Sequence, residues 1–293
     1  MPEGREFACL TVLQVLRRST EYLGRSRSNS PRLEAELLLA HALGLGRIDL
    51  YLQFDRPLDE PEIDLARSLL KRRSRGTPIA YLVGEREFYG LALAVRPGVL
   101  IPRPESELLV EIGLRRLEED QRPSSCADLG TGSGALGVAL ASLAPSVRVE
   151  AVDLAEVAVE VARDNARRLG VSDRFTAVQG SWRDALRGRG PYDLIVSNPP
   201  YLTDGELRDS DRGVRDFEPA LALAGGPDGL TAYRELIPAL SELAAPGTTV
   251  LLEVDPRRAA AVAAMCLQAW PGCTLRTHRD LSGKDRVVEA RLS

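Results

Sequence analysis

Apolar positions divide the chain into two rhythms. Over about the first eighty residues they recur at helical spacing, and Leu10, Val12, Leu13, Val15, Leu16 and Leu23 predict a helix over residues 10–23. Ser30-Pro31 reads as a cap residue with proline at the first helical position. Leu33, Leu37, Leu38, Ala40 and Ala42 then carry a second helix to Leu43, where Gly44 ends it. A third helix over residues 60–75 closes in Lys71-Arg72-Arg73-Ser74-Arg75, a solvated end whose charges complement the helix dipole. Gly76-Thr77-Pro78 breaks the pattern. Residues 85–95 alternate around Phe88, Leu91, Leu93 and Val95 with Tyr89-Gly90 at the centre, which predicts a hairpin. Leu100-Ile101-Pro102-Arg103-Pro104-Glu105-Ser106-Glu107 leads into a helix reaching Glu118, with Glu105 and Glu107 as first-turn acids.

From Ser125 the rhythm becomes strand–helix alternation. Apolar runs predict strands at 126–129, 148–152, 174–178, 192–197, 248–254, 274–277 and 286–291, with helices at 135–143, 155–169, 229–243 and 256–269. Seven strands mostly separated by helices predict a doubly wound α/β sheet. The last two have only residues 279–285 between them, which predicts an antiparallel hairpin at the sheet edge. The chain divides on this reading into a small all-helical domain over 1–80, a β-hairpin linker over 81–104 and the α/β domain over 105–293.

Composition narrows the class. Of the 293 residues 44% are apolar and 27% charged, enough for a sizeable core. The 38 basic and 42 acidic residues leave a net charge of −4, which argues against broad phosphate neutralisation along a nucleic acid. Cys9, Cys126, Cys266 and Cys273 are scattered without a C-x-x-C pair, and His41 and His278 are the only histidines. Neither a zinc cluster nor any other metal site follows from these spacings, and unpaired thiols fit a reducing interior. Met-Pro-Glu-Gly-Arg-Glu at the start has no apolar signal core, and no run approaches a membrane span, so the expected setting is the cytoplasm.

Chemistry enters at two places. Asp128-Leu129-Gly130-Thr131-Gly132-Ser133-Gly134 lies between a predicted strand and a predicted helix, where glycines let backbone approach a ligand closely. Asp153 ends the next strand, and its two acceptor oxygens suit two ribose hydroxyls. Together these indicate an adenosine-type ligand. Dinucleotide oxidoreductases show G-x-G-x-x-G, whereas this chain has G-x-G-x-G preceded by an acid and lacks the residues that would handle a hydride partner. The spacing favours S-adenosylmethionine over NAD.

The second place is Asn198-Pro199-Pro200-Tyr201, directly after the apolar run Tyr192 to Ser197. Two prolines stop the strand, fix φ near −65° and supply no N–H groups, leaving a stiff corner of carbonyls, one carboxamide and one ring. That set suits a planar NH2 substrate. The Asn198 side-chain oxygen and the Pro199 carbonyl each accept one of its hydrogens, while Tyr201 lies against its flat face and excludes water. An amide nitrogen is a poor nucleophile, so the corner's task is to hold it in line with an electrophilic methyl. No general base is assigned, since proton loss follows transfer.

With both motifs in view, the chain resembles the class I methyltransferases and, within them, the bacterial release factor glutamine methyltransferases. The resemblance rests on the residues 76–84 (GTPIAYLVG), 87–90 (EFYG), 101–105 (IPRPE), the glycine loop, 198–201 (NPPY), 218–221 (EPAL), 225–230 (GGPDGL) and 284–288 (KDRVV). It implies a Rossmann-like methyltransferase sheet behind a helical substrate-recognition domain, S-adenosylmethionine as cofactor, and methylation of the glutamine in the Gly-Gly-Gln loop of peptide chain release factors. It places the cofactor on Gly130, Thr131, Gly132, Ser133, Gly134, Asp153, Trp182 and Asn198, with Trp182 on the adenine. It places the substrate on Asn198, Pro199, Pro200 and Tyr201, with Asn198 and Tyr201 serving catalysis. Arg103 and Glu105 are candidates to wall the site, and Glu218-Pro219 and Asp228-Gly229 to frame a loop over the substrate.

Three positions depart from the family pattern. Ser181 stands where an acid is usual, Ser106 where threonine is usual, and Leu252-Glu253-Val254-Asp255-Pro256 replaces a Glu-Ile-Gly run. A monomer without direct nucleic-acid contact is expected. The alternatives are a DNA or RNA amino-group (adenine-N6 or cytosine-N4) methyltransferase, which shares the NPPY corner, a non-catalytic adaptor that binds a translation factor, and an oxidoreductase.

Overall fold

The computed structural model describes residues 10–26, 28–120 and 124–293; Cys9 and the N-terminal hexapeptide lie outside them. The described residues up to Gly84 form one unit together with Arg212–Phe217, and the rest form a second.

In the first unit α1 (Val12–Arg25) starts at Thr11, whose hydroxyl accepts from the Gln14 N–H while the Gln14 side chain accepts from the Thr11 N–H. In α2 (Pro31–Leu43) Ser30 holds the cap position but makes no side-chain cap bond, contrary to expectation, and Gly44 ends the helix in the left-handed conformation. The Ser30 backbone N–H instead donates to the Ser28 hydroxyl. The short α3 (Arg47–Leu52) precedes α4 (Glu60–Ser74), capped reciprocally by Asp59 and Glu62, and α5 (Ile79–Val83) follows. Leu16, Leu23, Leu38, Leu39, Leu50 and Leu69 form the core of this unit.

The second unit opens with a hairpin, β1 (Glu85–Phe88) and β2 (Leu91–Ala94), in which Phe88 faces Leu91. Tyr89 and Gly90 both have positive φ, 50° and 75°, the conformation a two-residue hairpin turn requires. A short 3-10 turn, Pro104–Ser106, leads into α6 (Glu107–Asp120). The alternation then runs β3 (Ser124–Leu129), α7 (Ala135–Leu143), β4 (Val147–Asp153), α8 (Glu156–Arg168), β5 (Phe175–Gln179), β6 (Leu194–Ser197), α9 (Asp204–Asp209) and α10 (Arg212–Phe217, which groups with the first unit). It ends with α11 (Thr231–Leu240), β7 (Thr249–Glu253), α12 (Ala259–Ala269), β8 (Thr274–Arg279) and β9 (Asp285–Arg291).

The seven strands β3 to β9 form one sheet in the order β5-β4-β3-β6-β7-β9-β8, parallel except for β9, which is antiparallel to both neighbours. The expected doubly wound sheet with an antiparallel edge hairpin is what the chain forms. Alternate residues serve opposite faces. Cys126, Leu194, Val196 and Leu251 pack with the cluster holding Leu109, Ile112, Leu140 and Val159 of α6 to α8. Ala127, Leu129, Ile195, Val250 and Leu252 pack with Tyr233, Leu236, Val262 and Cys266 of α11 and α12. Burial on both faces explains why β6 and β7 read as unbroken apolar runs.

Register brings the chemistry together. Leu129 pairs with Val152 on one side and Ser197 on the other, so the segments that follow β3, β4 and β6 leave the sheet along one edge. Asp153 ends β4 at this edge, and the segments after β3 and β6 hold the glycine loop and Asn198. Ligands of open α/β sheets bind at this carboxyl edge, where neighbouring connections diverge.

Candidate active site

A cavity of about 210 Å³ opens at that edge. Gly130, Thr131, Gly132, Ser133, Asp153, Trp182, Asn198 and Pro200 all line it, whereas Gly134, Pro199 and Tyr201 do not. Phe88, Val99, Leu136 and Ala158 supply apolar wall, and Arg103, Ser106, Pro219 and Leu221 complete the lining, Ser106 in contact with Asn198.

The glycine loop is held from below. Gly130 and Thr131 donate backbone N–H bonds to the Val152 carbonyl at 2.8 and 2.9 Å, which turns the chain away from β3. Gly130 and Gly132 have φ of +76° and +56°, and a Cβ on either would meet no protein atom within 4 Å. The Thr131 hydroxyl donates to Asp128 Oδ2 (2.6 Å), and the Gly137 N–H at the start of α7 donates to the same oxygen (3.0 Å). Asp128 is fully buried and its Oδ1 has no partner. Burial lifts its carboxyl to about 6 against the two donors, and the charge of Asp153 adds to the rise. Asn165, buried within α8, bonds the Ser133 carbonyl and both backbone groups of Ala94, tying the loop to the β1–β2 hairpin. A polar residue on the buried face of an otherwise amphipathic helix was the available signal for it.

Asp153 takes one backbone N–H on each oxygen, Gly132 at 2.8 Å and Ala155 at 2.9 Å. Burial pushes its carboxyl above the ordinary value, and these backbone donors oppose the rise. Trp182 packs beside the core cluster under α11 and α12 while facing the cavity. The neighbouring Ser181 exchanges hydrogen bonds with Asp184 in a local turn.

The Asn-Pro-Pro-Tyr corner is anchored by a buried acid. Asn198 Nδ2 donates to Ser106 Oγ at 3.1 Å, and Ser106 Oγ donates to Glu253 Oε2 at 2.5 Å. The Tyr201 hydroxyl reaches Glu253 Oε1 at 3.4 Å, a long contact. Glu253 ends β7 and is 1% exposed. Burial raises its carboxyl to about 7, opposed by the Ser106 bond and the Arg286 charge and reinforced by Glu105. Burial also raises Tyr201, with Glu253 adding to it, so the phenol stays protonated. The departure at residues 252–256 thus keeps the strand's acid, and Asp255 holds the following turn through Arg257 and Arg258.

Two straps flank the cavity. Glu218 is buried; it accepts the Ile101 N–H (3.1 Å) and pairs with Arg103 (2.6 Å). Arg103 and Pro219 therefore line the cavity as one assembly, while Glu105 is exposed and does not. Asp228 pairs with Arg234 and its carbonyl accepts from Arg258, fixing the turn before α11. Among the described residues no group of three or more His, Cys, Asp and Glu is placed to hold a metal, and no helix is long and apolar enough to cross a membrane.

Comparison with known proteins bears on what this arrangement is for. A family profile described as the PrmC N-terminal domain matches residues 14–84, and one described as the methyltransferase small domain matches residues 105–212. A release factor glutamine methyltransferase of Rhodopirellula baltica is 38% identical over 95% of this chain and 95% of its own. That of Geobacter sulfurreducens is 40% identical over 96% of this chain and 97% of its own.

The chain belongs to the release factor glutamine methyltransferase family.

Among solved structures, the protein-(glutamine-N5) methyltransferase (release factor-specific) of Alicyclobacillus acidocaldarius is 30% identical, with 69% of this chain and 100% of that one covered at a TM-score of 0.41. As a member of this methyltransferase family the chain is an enzyme. The pattern reading found the glycine loop, Asp153 and the corner; it named Ser106 and Glu253 only as departures from the family pattern, not as partners of Asn198, and did not single out Asn165 beneath the loop.

Proposed function

We propose that this enzyme transfers a methyl group from S-adenosylmethionine to the side-chain amide nitrogen of the glutamine in the Gly-Gly-Gln loop of peptide chain release factors. One observation carries the reading. The Asn198 carboxamide and the glycine loop with Asp153 line the same cavity at the carboxyl edge of the sheet. Its relatives, release factor glutamine methyltransferases, supply the substrate class.

The residues present fit the cofactor. Gly130 and Gly132 offer room where a side chain would stand, Asp153 presents a carboxylate at the cavity wall, and Trp182 provides a flat apolar face. Bound there, S-adenosylmethionine supplies an electrophilic sulfonium methyl. Gly130, Thr131, Gly132, Ser133, Asp153, Trp182 and Asn198 would hold it, while Gly134 ends the loop at the cap of α7.

The chain's own part is orientation. Asn198 Oδ1 and the Pro199 carbonyl accept the two N–H bonds of the glutamine amide, so its nitrogen is held with the remaining electron density turned away from both. Charge that develops on nitrogen is met by these two acceptors in a site shielded by Pro200 and Tyr201. Asn198 and Tyr201 act on the substrate directly, and Pro199 and Pro200 shape the corner. The helical domain over residues 1–80, the hairpin linker over 81–104 and the catalytic domain over 105–293 divide recognition from chemistry. The reading carries with it a cytoplasmic setting, a monomer, and no direct contact with nucleic acid.

Mass spectrometry of a purified release factor incubated with the enzyme and S-adenosylmethionine tests this. One methyl is expected on the Gly-Gly-Gln glutamine, abolished by Asn198→Ala while cofactor affinity falls much less. Near-normal turnover in Asn198→Ala would overturn the role of the corner. Methyl transfer to DNA or RNA in its place would overturn the substrate.

A further inference from the structure

We propose that Glu253, acting through Ser106, sets the orientation of the Asn198 carboxamide and so decides which end of it meets the substrate amide. The inference rests on the function proposed above and names a positioning residue for that same site.

A serine hydroxyl carries one hydrogen and can accept others on its lone pairs. Ser106 gives that hydrogen to Glu253 Oε2. Whatever approaches the Ser106 oxygen from the cavity side must then be a donor, and the group there is Asn198, 3.1 Å away. The carboxamide therefore turns its NH2 toward Ser106. Its Oδ1 is left over, with no protein partner among the described residues. A carboxamide oxygen is the end that can accept an N–H from a glutamine side chain; the NH2 end would set donor against donor.

Glu253 is the root of this chain because of where it sits. It ends a strand whose five residues are all buried, where a polar group persists only with bonded partners. Ser106 and Glu105 face it from the turn before α6, Tyr201 from the corner, Tyr233 from α11 and Arg286 from β9, with Asp255 two positions on. The Tyr233 hydroxyl takes the Glu253 backbone carbonyl at 2.7 Å and so fixes the strand end rather than the carboxyl. An ionised Glu253 only accepts. Once protonated it becomes a donor, the Ser106 hydrogen is released toward Asn198, and the carboxamide is free to reverse. The carboxyl titrates at about 7, so this change of orientation falls near neutral pH.

The test is steady-state kinetics on a release factor across about pH 6 to pH 8, with calorimetric binding of S-adenosylmethionine alongside. In the wild type kcat is expected to rise with pH over that range. Ser106→Ala should lower kcat about tenfold at the upper end, leave KM for the release factor and cofactor affinity within about twofold, and flatten the rise. Ser106→Thr, which keeps the hydroxyl, should restore both kcat and its pH dependence. Glu253→Gln should lose the pH dependence; if that variant does not fold by circular dichroism, the Ser106 pair decides alone. Ser106→Ala with wild-type kcat and an unchanged pH profile overturns the inference and leaves the proposed function standing. A wild-type chain that methylates no release factor overturns the function and the inference with it.

Discussion

Glu253 carries a linkage to stability as well as to orientation. Its carboxyl titrates at about 7 when folded against an ordinary 4.5, so between those values the native state keeps a proton that the unfolded chain has released. Stability linked to this group is present in full below pH 4.5 and is lost as pH rises through 7. Glu253→Gln cannot ionise and escapes that loss. Its unfolding free energy relative to wild type is expected to improve by about 3 kcal/mol between pH 5 and pH 8, read from urea melts at both. An unchanged difference at the two pH values would show that Glu253 does not titrate in this interval. At this scale the legible residues were those that constrain backbone. Gly130, Gly132 and the two prolines announce their geometry in their identity. Glu253 reads as one acid in an apolar run, and its partners Ser106 and Tyr201 stand 147 and 52 positions away.

Between elements, the corner after β6 is braced by the segment before α11. The Leu202 N–H donates to the Leu223 carbonyl at 2.9 Å and the Gly225 N–H to the Leu202 carbonyl at 2.7 Å. A Cβ on Gly225 would lie 2.6 Å from Tyr201 Cα and 2.9 Å from the Pro200 carbonyl oxygen. Gly225→Ala must therefore push the corner aside. The expected cost is about 2 kcal/mol of stability and at least about a tenfold loss of turnover, with cofactor affinity retained. Denaturant melts and kinetics check it; wild-type values of both would show that the corner tolerates displacement. Strands and long helices were legible because their periods repeat. The helices α3, α5, α9 and α10 were not, since five or six residues give less than two turns of period. Expectation began β6 at Tyr192, yet its ladder begins at Leu194 because the Tyr192 N–H goes to the Leu243 carbonyl.

Across the whole catalytic unit, Glu289 on β9 ties α6 to the far strand. Its Oε1 accepts from Arg116 at 2.7 Å and its Oε2 meets His278 Nε2 at 2.7 Å. Burial works to raise this carboxyl, but the Arg116 and His278 bonds outweigh it and hold the group below its ordinary value. The stability it contributes is present above about pH 4.5 and is lost as pH falls through the lowered folded value. Arg116→Leu is expected to cost about 3 kcal/mol at pH 7, because the Glu289 charge stays buried with less support, and the gap should narrow near pH 3. Urea melts at both pH values measure it, and a gap of equal size in acid would sink the assignment. The edge hairpin was legible, and the contrast between polar Thr274–Arg279 and a second strand carrying Val287, Val288 and Ala290 is the local signal that β9 is the inner strand.

That placement has a bearing on synthesis. β9 follows β8 in the chain yet lies between β8 and β7. A ribosome delivers residues in order, so when Thr274–Arg279 emerges it has no strand to join, because its partner has still to be made. Until Asp285–Arg291 emerges, the flank of β7 that it will cover stays without its pairing strand. A nascent chain halted short of residue 285 would carry an apolar strand with an open edge, the kind of surface that recruits other unfinished chains. By that geometry the order of synthesis and the order of the sheet cross at this edge, and the last two strands settle together rather than one after the other.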